Sequence, residues 1–248
     1  MQNFTTASLN GHRDMEEQIL QLQNYINGSR YTVAITGAGI SMAAGIMDFA
    51  HMNFPLVLQM SSSAVLKSAP NHYYNTARKA FLNAMFEKGP SIAHRKLAEY
   101  ERRGLLQGVI TTNIDCLHTL AGSRNVAEIQ GSFGFNKCLK CGQEYNDVQI
   151  WNQGKAPRCE KCGGVIGAFP VYKHIGLVED EVRKARSFAA QAELVIIIGA
   201  QGSYGGVYYP YIRSGAKIVQ INPKATQFDD VAVLNIRKGA DEVFGMLQ

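Results

Sequence analysis

Nowhere in the 248 residues do eighteen apolar residues run together, so the sequence offers no candidate membrane-spanning helix. The opening residues Met1-Gln-Asn-Phe-Thr-Thr6 lack the basic and apolar segments of a secretory leader. Charge is sparse: 18% of residues are Asp, Glu, Lys or Arg, and the net charge is +5. No cluster of Lys and Arg interleaved with aromatics marks a nucleic-acid face. Membranes and nucleic acids are therefore not expected as partners. Five cysteines are few, and four of them fall in two C-x-x-C pairs. That pattern belongs to a metal in a reducing, cytoplasmic compartment, not to a disulfide framework. Internal repeats and low-complexity segments are also missing. What remains is an ordinary globular composition with 46% hydrophobic residues.

The hydrophobic pattern alternates between helix and strand. An amphipathic helix is predicted over 13–28, and further helices near 75–87, 91–103, 180–192 and 240–247. Short β-branched runs predict strands at Tyr31–Thr36, Val109–Thr112, Leu194–Ile198, Lys217–Ile221 and Val231–Ile236. Strands alternating with helices indicate an α/β fold with a Rossmann-like parallel sheet and helices on both faces. Residues 136–166 are loop-like and hold the four paired cysteines and the single tryptophan, Trp151. They read as a small inserted zinc-ribbon-like module. The large domain is then expected over 1–135 and 167–248, with about 46–90 as a further source of the small domain.

Four of these strands end in glycine or polar loops: Gly37-Ala38-Gly39, Asn113-Ile-Asp115, Gly199-Ala-Gln-Gly-Ser203 and Asn222-Pro223. In an open parallel sheet, ligands bind beyond the carboxyl ends of the strands, so four such loops would line one crevice. Glycines let the backbone approach a pyrophosphate, although a glycine turn serves packing equally well. The segment Val33–Ser41 departs from the usual dinucleotide fingerprint. Gly45 is displaced, and no Asp or Glu occurs between Asp48 and Glu87 to hold a ribose.

The spacing Cys138-x2-Cys141-x17-Cys159-x2-Cys162 is more specific. Two thiolate knuckles make a closed tetrahedral shell, which suits structural zinc and leaves no open position for catalysis. The fifth cysteine, Cys116, is expected as a small buried hydrophobe, with a reactive thiol as the alternative.

In their order along the chain these pieces resemble the sirtuin family. Gly37-Ala-Gly-Ile-Ser41, Gly45-Ile46 and Asp48-Phe49 are similar to its first cofactor motif. Pro90-x3-His94, Thr111-Thr-Asn-Ile-Asp115-x-Leu-His118, Ala121-Gly122, the four cysteines and Ile221-Asn222 follow in register. The resemblance covers about residues 15–247. It implies NAD held between a Rossmann-like domain and a zinc domain, with use in protein deacylation, ADP-ribosyl transfer or both. It further implies that Gly37, Ala38, Gly39, Ser41, Gly45, Asp48 and Phe49 face the cofactor's phosphate and ribose region. Thr112 and Asn113 would lie by the nicotinamide ribose, with Asp115 at the carboxamide. Gly199, Ala200, Ser203, Asn222 and Pro223 would line the adenosine side, with Ala240 and Asp241 near the adenine. His94 and His118 match family positions and are expected to be structural.

The departures from the family bear on the reaction. The histidine of its catalytic His-Gly pair is Gln130 here, followed by Gly131. The arginine after Asp-Phe is Ala50, the preceding proline is Met47, and Thr112 stands in place of a glutamine. The segment that adds a substrate peptide as a strand falls on Val171-Tyr-Lys-His174 and lacks its phenylalanine and glycine. In the family's deacylation, the acyl oxygen attacks the ribose carbon that loses nicotinamide, and the histidine then deprotonates a ribose hydroxyl. An amide cannot take that proton. Cleavage of the nicotinamide bond needs no base there, so ADP-ribosyl transfer would survive the substitution better. A subgroup associated with macrodomain proteins also lacks the histidine and transfers ADP-ribose to proteins. The first expectation is therefore an NAD-dependent protein ADP-ribosyltransferase using Asn113, Asp115 and Gln130, with a protein acceptor and a macrodomain protein as a further partner. The second is a protein-lysine deacylase with a substitute base, for which His51 and His174 are candidates. The third is a non-catalytic NAD or ADP-ribose binder, which the loss of the arginine at Ala50 favours. The apolar stretches Phe54–Leu58 and Tyr208–Tyr211 are expected mainly as core.

Overall fold

The computed structural model describes residues 6–46, 59–60, 62–168, 177–201 and 215–248, with side chains from residue 13 onward. Asp48, Phe49, Ala50, His51, Phe54–Leu58, Val171–His174, Ser203 and Tyr208–Tyr211 lie outside the described residues.

The chain opens with α1, Thr6–Gly28. Met15, Ile19, Leu22 and Ile26 recur three or four residues apart, so they form one stripe that is buried against the sheet. The strands are β1 (Thr32–Thr36), β2 (Gly108–Thr111), β3 (Val126–Glu128), β7 (Leu194–Ile198), β8 (Lys217–Ile221) and β9 (Leu234–Ile236). They form one parallel sheet in the order β3-β2-β1-β7-β8-β9. β1 and β7 are its two central strands and are buried throughout, which explains their unbroken β-branched sequences. One face of the sheet packs on α1, on α4 (Ile92–Arg102) and on α7 (Ala240–Met246), through residues such as Leu22, Leu97 and Phe244. The other face packs on α6 (Glu179–Gln191) through Ala185 and Ala189. The doubly covered parallel sheet agrees with the sequence reading. β3 was not anticipated, because three residues are too short to carry a periodic signal. The last strand is shorter than Val231–Ile236.

The chain order reverses direction across the sheet between β1 and β7. Ligands bind at such a switch point in open α/β sheets.

A second, three-stranded sheet in the order β5-β4-β6 comprises β4 (Asn136–Cys138), β5 (Glu144–Tyr145) and β6 (Ile166–Ala168). It is antiparallel. It shares an apolar core with α2 (Ser63–Ser68), α3 (Pro70–Ala77) and the two π-helical turns after α3. Trp151 is fully buried there, edge-on to Phe133 at 5.3 Å and tilted against Tyr73 at 6.3 Å. Its indole N–H donates to Asn136 Oδ1 at 2.8 Å, so burial leaves no polar atom of the ring unpaired.

Candidate functional site

The loops after β1 and β7 are stitched together at the switch point. The Gly37 N–H donates to Ile198 O (3.1 Å) and the Gly39 N–H to Gly199 O (2.9 Å). A side chain does not fit between them: a Cβ on Gly39 would lie 2.7 Å from Gly199 Cα. Gly199 has φ +58°, and a Cβ there would lie 2.5 Å from Ile40 N. The turn Ala38–Ile40 therefore sits directly over the end of β7.

The polar core of the site hangs on this turn. Asn113 Nδ2 donates to Gly37 O at 3.1 Å and to Ser41 Oγ at 3.2 Å. Ser41 Oγ donates in turn to Asp115 Oδ2 at 2.6 Å. The other Asp115 oxygen accepts the Leu117 N–H at 3.0 Å, and the Asn113 N–H is held by Thr111 Oγ1 at 3.0 Å. Ser41, Asn113 and Asp115 are all buried, and Thr112 lies among them. A serine from one loop thus links an amide and a carboxylate from another, more than seventy residues away.

Behind them lie two buried imidazoles. On the short helix α5 (Leu117–Leu120), His118 Nε2 meets Thr36 Oγ1 at 2.9 Å, and His94 Nδ1 meets Ser91 Oγ at 2.9 Å. Their rings are 4.7 Å apart. Burial lowers both pKa values, so both stay neutral and act as supports for β1 and α4. Cys116 is the only described non-glycine residue with positive φ, at 57°. Its thiol is buried and its pKa raised by burial, consistent with the expectation of an inert, packed side chain.

On the far side of β7, Asn222 Nδ2 donates to Ala200 O at 3.2 Å, and the Gly199 N–H donates to Ile221 O. This joins the Gly199-Ala200 loop to the Asn222-Pro223 turn. Ala240 and Asp241 open α7. The two Asp241 carboxylate oxygens accept the N–H groups of Ile92 (3.2 Å) and Ala93 (2.9 Å), so this side chain caps α4. Gly45 carries φ +85°, and the Lys88 ammonium lies against it.

Gln130 sits half-buried in the turn after β3, where the Gly131 N–H returns to Glu128 O at 2.8 Å. Its carboxamide has no hydrogen bond among the described residues. Glu128 was missed in the sequence. Its carboxyl is almost fully buried, and Oε2 accepts from Ser132 Oγ at 2.7 Å. Burial, reinforced by Asp115 and Glu181, pushes its pKa up to about 7. The legible signal was an acid inside the otherwise apolar Val126-Ala-Glu-Ile129 run, two residues before Gln130.

The sulfurs of Cys138, Cys141, Cys159 and Cys162 all lie within 4.8 Å of one another. Cys138 and Cys162 are 3.5 Å apart and Cys141 and Cys159 3.6 Å. Four sulfurs at about 2.3 Å from a tetrahedral zinc would be about 3.8 Å apart, so the tetrad suits structural zinc. Cys138 ends β4, the central strand of the three-stranded sheet. Among the described residues no helix is long and apolar enough to cross a membrane.

A family model described as "Sir2 family" matches residues 37–204. A protein of Pyrobaculum aerophilum named NAD-dependent protein deacetylase 1 is 36% identical over 93% of this chain and 94% of its own length. An NAD-dependent protein deacetylase of Thermotoga maritima is 34% identical over 84% of this chain and 88% of its own. A solved structure described as "Sir2-p53 peptide-NAD+" aligns with TM-score 0.72 and 32% identity, covering 91% of this chain and 95% of that one. The glycine turns at the switch point, the cysteine tetrad and these likenesses agree: the chain belongs to the Sir2, or sirtuin, family.

Proposed function

We propose that this protein is an NAD-dependent protein-lysine deacylase whose base is a residue other than Gln130. The reading rests on the Asn113–Ser41–Asp115 network, which stands at the switch point in a chain similar throughout its length to proteins named deacetylases. A Thermococcus kodakarensis relative, 31% identical, is named a deacylase. NAD would enter with its phosphates and ribose by Ala38, Gly39 and the Gly45 loop, and by Asp48 and Phe49. Asn113 would face the nicotinamide ribose with Thr112, and Asp115 its carboxamide. Gly199, Ala200, Ser203, Asn222, Pro223 and Ala240 would take the adenosine side. The glycines let the loops after β1 and β7 close backbone to backbone, which brings the strand ends that would line the NAD site together. NAD when bound supplies the electrophilic ribose carbon. The protein's part is to hold that ribose and exclude water from it.

Gln130 favours a second reading, protein ADP-ribosyl transfer, because that reaction needs no base at its position. A macrodomain protein as partner belongs to this reading alone. The relatives support deacylation over transfer, which reverses the order expected from the sequence. Mass spectrometry after incubation with NAD, an acetyl-lysine peptide and a protein mixture separates the two. Deacylation yields acyl-ADP-ribose, and transfer yields ADP-ribosylated protein without it. Calorimetric binding of NAD with neither product would leave only a binding protein.

A further inference from the structure

We propose that Glu128 is the proton acceptor that replaces the missing imidazole: its carboxylate takes the proton of the NAD ribose hydroxyl during deacylation. This inference rests on the deacylase reading above.

The sheet register places it. Thr36 of β1 pairs with Thr111 of β2, and Thr111 pairs with Glu128 of β3. The three residues form one polar row on one face, at the carboxyl ends of adjacent strands. Thr111 leads into Asn113 and Asp115, so Glu128 closes the same edge that holds the proposed ribose contacts. Gln130 follows two residues later, and its carboxamide is free among the described residues to orient a hydroxyl.

The surroundings suit a base better than a structural ion pair. Glu128 is 8% exposed, and among the described residues its carboxyl bonds only the Ser132 hydroxyl. That hydroxyl accepts the Gly134 N–H at 3.0 Å, which fixes its own proton toward Glu128. Asp115 and Cys116 face the carboxyl from the loop after β2, and Glu181 and Lys184 from α6. The Lys184 ammonium bonds the Val126 carbonyl at 2.6 Å instead of the carboxylate. A buried acid with one neutral hydrogen bond, acidic neighbours and no bonded cation is costly to keep for packing alone. Its pKa of about 7 gives a group that is substantially ionised at neutral pH and basic enough to accept a proton.

In the step assigned to it, the ribose O–H bond breaks and its electron pair forms the new bond to the acyl carbon. The proton ends on Glu128. When the lysine amine is expelled, Glu128 returns that proton to it, which regenerates the carboxylate. A water molecule then adds to the cyclic acyl cation left on the two ribose oxygens, the ring opens to acyl-ADP-ribose, and the proton from the water passes to the freed amine.

The test compares the parent protein, Glu128→Gln and Glu128→Gln with Gln130→His. Acyl-ADP-ribose is measured from NAD and an acyl-lysine peptide across pH, and nicotinamide exchange is measured alongside. The parent rate should rise with pH through about 7. Glu128→Gln should lose roughly 100-fold or more in deacylation, and with it that rise, while nicotinamide exchange falls much less. Restoring the imidazole at position 130 should recover deacylation, which a merely structural role for Glu128 does not predict. Carbon-13 NMR of the NAD-free protein should show the Glu128 carboxyl titrating near neutrality. Unchanged deacylation in Glu128→Gln, or a carboxyl titrating in the ordinary carboxylate range, would overturn the assignment and leave the deacylase reading intact. A parent protein that makes no acyl-ADP-ribose at any pH would sink both.

Discussion

Ser41 Oγ stands 2.6 Å from Asp115 Oδ2 and 3.2 Å from Asn113 Nδ2, so one hydroxyl sets the positions of the two side chains proposed to hold the nicotinamide ribose and its carboxamide. Ser41→Ala leaves the buried Asp115 carboxylate with only the Leu117 N–H among the described residues. The expected result is a stability loss of about 1–3 kcal/mol, from a buried acceptor stripped of a donor. Nicotinamide release should fall tenfold or more, because ribose positioning is lost with it. Thermal melting and a nicotinamide-release assay measure the two effects. Normal release from Ser41→Ala, or from Asn113→Ala, would remove these side chains from the reaction.

The cysteine tetrad predicts one zinc per chain by elemental analysis, and none in Cys159→Ser. Trp151 packs against Phe133 and Tyr73 in the core that joins the three-stranded sheet to α2 and α3. Zinc binding is folding free energy for such small modules. Chelation should therefore shift Trp151 emission to the red, which makes the single tryptophan a reporter of the metal. A blue, unchanged emission after zinc removal would show that this core stands without the ion.

Gly199→Ala should lower the melting temperature sharply. A methyl group there meets Ile40 N at 2.5 Å on a backbone with φ +58°. Relief requires moving the Ala38–Ile40 turn away from β7, since the strain and the clash are both in backbone. NAD affinity should fall with stability, because the turn that carries Ser41 moves too. Gly28→Ala is the control, with nothing near the added carbon.

Glu128 also makes folding stability depend on pH. Its carboxyl is raised from 4.5 to about 7 by burial, so between those values the native protein keeps a proton that the unfolded chain has released. Stability from this group is full below pH 4.5 and is lost as pH rises through 7, by about 3 kcal/mol in all. His94 and His118 work in the opposite direction. Their lowered pKa values mean that stability present above pH 6.5 is lost as pH falls. The melting-temperature difference between Glu128→Gln and the parent cancels the histidine part. It should grow in favour of the glutamine as pH rises across that window. A difference that stays flat would place the Glu128 carboxyl in the ordinary range.

Short spacing along the chain encodes the local features of this fold. Runs such as Leu194–Ile198 are β-branched because central parallel strands are buried on both sides, and glycines follow them where backbones meet. Two cysteines three residues apart make a knuckle whatever surrounds them, so the metal tetrad was legible before any fold. The family motifs are likewise local strings. Other features depend on partners far along the chain. The Asp241 carboxylate caps the N-terminus of α4, 148 residues away. Ser41 became the hinge of the site only when β1 and β2 paired. Glu128 carries no signal of its own in the sequence; β3, too short to announce itself, pairs it with Thr111 and brings it to the Ser132 hydroxyl. A carboxyl's basicity is set by the water it loses and the charges brought near it. Both are properties of packing, which sequence neighbours alone do not specify.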